Sequence, residues 1–272
     1  MILTGSELRH KFFRNTLAAS SQVNILSSYC ESHETNLRRQ VEASQENNEL
    51  RLRHLKARAE SEALYFQESV STGIDNSKPI ELNYGAINSD RYVASIINSN
   101  PDLLVSYGCS IIKEPLLSTF SGRFINIHLG LSPYYRGSGT NYWPLVNREP
   151  EYVGATFMHI DKGIDTGEII HQVRAAVMPG DTPSDVGNRL IQKMTFVAEQ
   201  LINSFDTIVS MTQPPEPPDA RMYRSKDFSE SSVTELYENF KNGLVDRYLG
   251  EQVERCARVP ILSNPAIESE SS

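Results

Sequence analysis

Phe124-Ile125-Asn126-Ile127-His128, running on into Ser132-Pro133-Tyr134-Tyr135-Arg136-Gly137, is the stretch whose reading decides the fold. Polar residues alternate with apolar ones, so as a strand it turns Asn126 and His128 to one face. The strand must end where Gly130, Pro133 and Gly137 begin, which leaves both polar side chains near its carboxyl end, the place where open α/β sheets bind ligands. Upstream, Pro101 to Gly108 encloses a compact apolar run and predicts a buried strand, with a helix from Pro115-Leu116-Leu117 leading back through Gly122-Arg123. At the amino end, Met1-Ile2-Leu3, the Thr4-Gly5-Ser6 turn and a helical run through Leu8, Phe12, Phe13 and Leu17 read as strand, turn and helix. Gln22 to Tyr29 reads as a second strand. Val153 to Ile160 and Ile169 to Val173 read as further strands, and Thr182 is placed to cap a helix bearing Val186, Leu190, Ile191, Met194 and Val197. Strands alternating with helices in this way predict an α/β fold with a doubly wound, mostly parallel Rossmann-like sheet.

A third polar side chain belongs with the pair on the strand. Asp165 lies between Gly163 and Gly167, in a backbone free to turn tightly and carry a carboxylate to another element. An amide, an imidazole and a carboxylate suffice for acyl transfer to an amine. The Asn126 amide can donate to a carbonyl oxygen that becomes negative. His128 can share that task or move a proton. Asp165 can fix the imidazole tautomer, stabilise its protonated form, or take a proton through a water. From spacing alone, a structural Asn-x-His pair fits as well.

The wider pattern resembles the folate-dependent formyltransferase family. Asn126-Ile127-His128, Leu131-Ser132-Pro133, Arg136-Gly137, Trp143, Gly154-Ala155-Thr156 and Asp161-Lys162-Gly163-Ile164-Asp165-Thr166-Gly167 follow that family's motifs in order and spacing. The resemblance spans most of residues 1–212. It implies that Asn126, His128 and Asp165 are the catalytic trio and that N10-formyltetrahydrofolate is the donor co-substrate, with no metal. It places Ser110, Ile111, Ile112, Asp161, Gly163 and Ile164 against the folate. Ser132, Arg136, Gly137 and His159 are the expected contacts for the acceptor, Arg136 as a clamp for an anionic group. Where the family has Ser-Leu-Leu-Pro after the histidine, this chain has Gly130-Leu131-Ser132-Pro133, a departure that bears on acceptor identity. A primary amine on a nucleotide-linked amino sugar is the expected acceptor. Alternatives are a glycinamide ribonucleotide or methionyl-tRNA formyltransferase-like enzyme, a formyltetrahydrofolate hydrolase, or a non-catalytic folate- or nucleotide-binding protein. The family's hydrolases carry an additional amino-terminal domain, which counts against that reading.

Bulk properties narrow the partners. A formal charge of −8 over 272 residues argues against a polyanion-binding surface covering the molecule, so nucleic acid is not expected. Cys30, Cys109 and Cys256 are scattered, suggesting neither a disulfide framework nor a zinc site, and a cytoplasmic setting fits them. No apolar run approaches the ~20 residues that span a bilayer. A homodimer stays open. The single glycine after the first strand is a poor phosphate cradle, and Arg9 and His10 read either as substitutes for it or as a solvated helix face. Residues 34 to about 70 suggest one or two long exposed helices, with His33 and His54 at the surface. The expected organisation is a catalytic domain over 1–212, a stiff Pro214-Pro215-Glu216-Pro217-Pro218 linker (213–218), and an extension over 219–272 whose acidic tail, from Ser263, is disordered. In the extension, Tyr223, Arg224, Lys226 and Phe228 read either as a base-stacking, phosphate-binding set or as a hydrophobic strap.

Overall fold

Seven strands form the central sheet of the computed structural model, which describes residues 1–32, 41–42 and 49–267. They are β1 (Ile2–Gly5), β2 (Ser28–Ser32), β3 (Pro79–Asn83), β4 (Leu104–Tyr107), β5 (Phe124–His128), β7 (Gly154–His159) and β8 (Ile169–Arg174), in the spatial order β3-β2-β1-β4-β5-β7-β8. The first five run parallel, with Ile2 opposite both Ser28 and Val105 and with Ser106 opposite Asn126. β7 and β8 close the sheet antiparallel, with Met158 opposite Asn126 and Thr156 opposite His128. From β1 the chain winds outward to β3, then crosses back to β4 on the other side of β1. That reversal opens a crevice at the carboxyl ends of β1 and β4.

Helices cover both faces, as a parallel sheet requires. On one face α1 (Leu8–Ala19) and α2 (Glu49–Thr72) pack together, Phe12 against Phe66 at 4.8 Å between ring centroids and Phe13 edge-on to Tyr107 at 5.3 Å. Burying each such ring contributes roughly 2–3 kcal/mol. The long helix α6 (Pro183–Asn203) joins them, capped by Thr182, whose hydroxyl accepts from Asp185 N at 3.4 Å. On the opposite face α3 (Asp90–Ser99) and the short α4 (Leu116–Thr119) bury Ile96, Leu116 and Phe120 against Leu3, Leu104 and Phe124.

The segment after α6 is bound along its length to β8, to the turn at Asp165–Gly167 and to the stretch around Arg136. The chain pairs at Met211 with Ile169, and Gln213 Nε2 donates to the carbonyls of Asp165 at 3.0 Å and Gly167 at 2.8 Å. Glu216, within the proline run, forms an ion pair with Arg136. β9 (Arg221–Tyr223) then pairs in parallel with β6 (Tyr135–Gly137). Gly137 is required there: its φ is +88°, and a Cβ would lie 2.2 Å from the Tyr223 carbonyl oxygen. Tyr223 stacks on Trp143 of the short α5 (Trp143–Val146), 4.1 Å apart and 5° from parallel, so its ring is used in packing. Helices α7 (Glu230–Lys241) and α8 (Leu244–Arg258) complete the chain's docking.

Three expectations change. The second strand begins at Ser28 instead of Gln22, because register with β1 starts at Ile2–Ser28 and the preceding residues form the turn that reaches it. The α1 face carrying Arg9 and His10 is turned inward, His10 lying buried against Tyr107. Disorder from Ser263 does not hold through Ile267: Asn264 is 2% exposed, and its Nδ2 donates to the carbonyls of Ile170 at 2.9 Å and Val209 at 2.8 Å. Residues 268–272 lie outside the described residues, as does His33. Asn264→Ala strips partners from these buried carbonyls and should lower unfolding free energy by about 1–3 kcal/mol, read as a shift of the urea midpoint at constant slope.

Candidate active site

Asn126 and His128 reach the same face of β5 as their alternation predicted, and each is oriented by a neighbour. Ser106 Oγ, opposite on β4, donates to Asn126 Oδ1 at 2.8 Å. With its oxygen so engaged, the amide presents its NH2 as a donor. His128 is buried, with Nε2 3.1 Å from the Tyr135 carbonyl oxygen and Nδ1 3.4 Å from Asp165 Oδ1. Both ring nitrogens therefore face acceptors. A neutral imidazole donates to one of them, and the imidazolium donates to both. Asp165 sits at φ +56°, a left-handed conformation that aspartate tolerates better than most residues, and its Oδ2 accepts from Gly137 N at 3.0 Å. Three side chains from sequence positions 126 to 165 thus converge.

The remaining motif residues support this centre. Thr156 Oγ1 donates to the Gly130 carbonyl at 2.6 Å and accepts from Ser132 N at 3.1 Å, while Gln172 Nε2 donates to the Ser132 carbonyl at 2.7 Å. The Thr of Gly154-Ala155-Thr156 is thereby a clasp on the loop after β5, and Ser132 is buried beneath it. Arg136 is turned to Glu216, and His159 bonds through Nε2 to Ser210 Oγ at 2.9 Å. Neither lines the cavity described next. Gly137 does. Of the residues expected against folate, Ser110 and Ile112 are buried, Asp161 holds the turn through Gly163 N and Thr166 Oγ1 at 2.9 Å each, and Ile111 and Ile164 are exposed.

A cavity of about 550 Å³ opens over the carboxyl ends of β1, β4 and β5 and reaches Asn126 and His128. Its far wall is charged. Arg9 Nη1 and Arg58 Nε share Glu62 Oε1, at 2.8 and 3.1 Å, and Arg9 also pairs with Glu7. Burial works to raise the Glu62 carboxyl, but the two guanidiniums outweigh it and hold the group below the usual range. Burial lifts the adjoining Tyr107 hydroxyl to about 12. Another wall is aromatic: His54 packs edge-on to Tyr142 at 5.3 Å, near Phe228, with Nδ1 3.2 Å from Tyr237 Oη. Arg224 and Ser225, after β9, stand at the rim.

His54 was expected at the surface and Arg58 and Glu62 had no assigned role. The signal was present as i, i+4, i+8 spacing of His54, Arg58 and Glu62, which places them on one face of α2. That face meets the cavity because α7 and α6 pack beside it. No group of three or more side chains able to hold a metal comes together among the described residues. No helix among them is long and apolar enough to cross a membrane.

An open α/β sheet with an amide, an imidazole and a carboxylate beside a crevice cavity brings together groups that acyl transfer can use. The chain belongs to the formyl transferase family, whose sequence profile matches residues 34–197, more than half of its length. Among curated relatives, it is 38% identical over 88 residues to a methionyl-tRNA formyltransferase of Desulforamulus reducens, covering 32% of this chain and 27% of that protein. It is 30% identical over 128 residues to a GDP-perosamine N-formyltransferase of Brucella melitensis, covering 47% of this chain and 49% of the relative. The chain thus spans half or less of the length of these curated relatives. A sugar N-formyltransferase structure from a Shewanella species superposes with a TM-score of 0.56 over 86% of this chain and 85% of that one. An N-formyltransferase from Helicobacter canadensis, solved with folinic acid and dTDP-3-aminofucose, gives 0.53 over 86% and 78%. At 18% and 16% identity these two show a common fold.

Burial, and secondarily Arg58, lowers His54 to about 4, and burial likewise lowers His171 to about 4. Both are neutral in the fold at pH 7 and take up a proton on unfolding once the pH drops below the ordinary 6.5. Stability is therefore retained above pH 6.5 and lost as pH falls toward 4, by up to about 1.4 kcal/mol per pH unit for each ring. Urea midpoints at pH 7 and pH 5 should show the loss, and His54→Gln should make it shallower.

Proposed function

We propose that the protein transfers a formyl group from N10-formyltetrahydrofolate to the primary amine of a nucleotide-linked amino sugar. Asn126 and His128 lining a cavity of about 550 Å³, with Asp165 held against His128 behind it, carry this reading. The donor supplies an activated formyl carbon; the chain supplies donors, a titratable pair and a cavity. Asn126 offers its NH2 to the formyl oxygen as negative charge grows on it, the interaction that lowers the barrier most in such reactions. His128, held between Tyr135 O and Asp165, adds a proton-carrying ring beside the same carbon. As the acceptor nitrogen bonds to the formyl carbon and the bond to the folate nitrogen breaks, one proton leaves the amine and one is returned to the folate. The His128–Asp165 couple handles that exchange, taking the proton directly or through a water.

The acceptor assignment draws on the cavity's two walls and on the relatives. Arg58 and Arg224 give it guanidiniums suited to phosphate oxygens, in place of the Arg136 clamp. Leu55, Tyr142 and Phe228 offer apolar surface to a sugar or base. The Brucella relative is named for a GDP-linked amino sugar, and the Helicobacter protein was solved with a dTDP-linked one and a formylated folate. The exposed Ile111 and Ile164, in the loops after β4 and β7, offer apolar surface to a flat folate ring. Hydrolysis to formate is the competing outcome when no amine occupies the cavity.

Incubation with labelled formyl donor and a panel of nucleotide-linked amino sugars is the direct test, formylated sugar being the expected product. Asn126→Ala and His128→Ala should each reduce turnover by about two to three decades while donor binding persists. Near-normal rates in both variants would remove the assignment, and formate release independent of any amine would make the protein a hydrolase.

A further inference from the structure

We propose that Glu31 and Asn88 are positioning residues for the formyl donor, fixing the backbone of the Ser110–Lys113 loop before folate arrives. The inference rests on the functional reading above, which sets reduced folate against this loop. Glu31, at the end of β2, is 1% exposed. Its Oε2 accepts from Ser110 N at 2.7 Å, and its Oε1 accepts from Ser110 Oγ at 3.0 Å, Gly85 N at 2.9 Å and Ile87 N at 3.3 Å. A carboxylate has about four lone-pair sites, and four protein donors meet this one. Among the described residues no cation pairs with it, so N–H and O–H groups alone compensate its burial. At 1% exposure it is withdrawn from any substrate. The group is spent on tying three segments together.

Asn88 continues the tether from the turn that Glu31 holds. Its Oδ1 accepts from Lys113 N at 2.8 Å and its Nδ2 donates to the Ile111 carbonyl at 3.0 Å. The loop backbone is thereby tied at 110, 111 and 113 by two side chains from outside it. The residue it presents is Ile111, a large aliphatic side chain 70% exposed. The turn held by Asp161 carries Ile164, 50% exposed, and an ion pair from Lys162 Nζ to Glu114 Oε1 at 3.4 Å links the two loops. Two exposed isoleucines on tethered backbone form a preordered apolar seat beside the strand that carries Asn126. Ordering a loop on binding costs free energy, and a loop already ordered avoids that cost. The effect belongs to donor affinity, separate from the chemical step.

The full chain, titrated with 5-formyltetrahydrofolate by calorimetry and assayed at steady state, tests this. Asn88→Ala removes two tethers from a partly exposed site, and the donor Kd and donor KM should each rise about tenfold, with acceptor KM and kcat within about twofold of wild type. Glu31→Gln keeps the shape but turns an NH2 toward N–H donors, and should weaken donor binding further. If Glu31→Gln does not fold, Asn88→Ala decides alone. A folded Asn88→Ala protein with wild-type donor Kd, whether or not its melting temperature falls, overturns the inference, because a purely structural tether would move stability only. Wild-type protein that binds no reduced folate overturns the functional reading, and this inference with it.

Discussion

The Asp165 carboxylate is the tie on which the geometry of the site depends. One oxygen meets His128 at the end of β5, and the other takes the N–H of Gly137 in β6. The turn that carries it is held in turn by Gln213, through the carbonyls of Asp165 and Gly167. Four stretches of chain, around His128, Gly137, Asp165 and Gln213, are thus connected through one residue at φ +56°. A hydrogen bond to a charged group contributes about 1.5–3 kcal/mol, enough to hold a left-handed aspartate against its conformational cost of about 1–3 kcal/mol. The carboxylate therefore orients the imidazole and also determines where the β6–β9 ribbon, with Arg224 and Ser225 just beyond it, meets the sheet.

Charge is distributed unevenly around this tie. The chain carries −8 overall, yet among the described residues the cavity lining brings Arg9, Arg58 and Arg224 together with two carboxylates, Glu7 and Glu62. In a partly desolvated crevice such charges act at an effective dielectric well below that of water, so the local sign outweighs the remote surplus of acid. Arg9 is committed: it is half-buried between Glu7 and Glu62. Arg58 gives part of its fork to Glu62 and keeps the rest for the cavity. Net charge describes how the molecule behaves toward polyanions at long range and says little about the charge inside the crevice.

What could be read in the sequence follows from whether a pattern is local. The alternation in Phe124–His128 placed Asn126 and His128 on one face, because strand period is a property of neighbouring residues. The glycines around Asp165 marked a turn for the same reason. The strand at Ser28–Ser32 was misplaced because its polar Ser28 and Glu31 look like loop residues. Glu31 is acceptable in a buried strand only because donors from Gly85, Ile87 and Ser110 reach it, and none of them is near in sequence. His54 read as a surface residue because α2 is rich in Glu, Arg and Lys. Its burial comes from Phe228 and Tyr142, on elements that pack over α2 from beyond position 140. Asn264 was indistinguishable from a polar tail until β8 and Val209 supplied its partners.

The same distinction divides the site by function. The residues of the proposed reacting centre lie on β5 and in the loop that crosses it, where the sheet's hydrogen bonds fix the backbone and small displacements are costly. The proposed acceptor wall is assembled from α1, α2 and the chain after β9, elements joined to the sheet through side-chain packing. A substitution at 54, 58 or 224 alters the shape and charge of that wall without passing through the strand carrying Asn126 and His128. One sheet can therefore retain a fixed chemistry while its peripheral helices are varied to suit different amines. That is the arrangement expected where a site grafted on a common fold serves many substrates. On the proposed reading, acceptor choice is to be sought on α2 and beyond β9, and reaction type between positions 106 and 165.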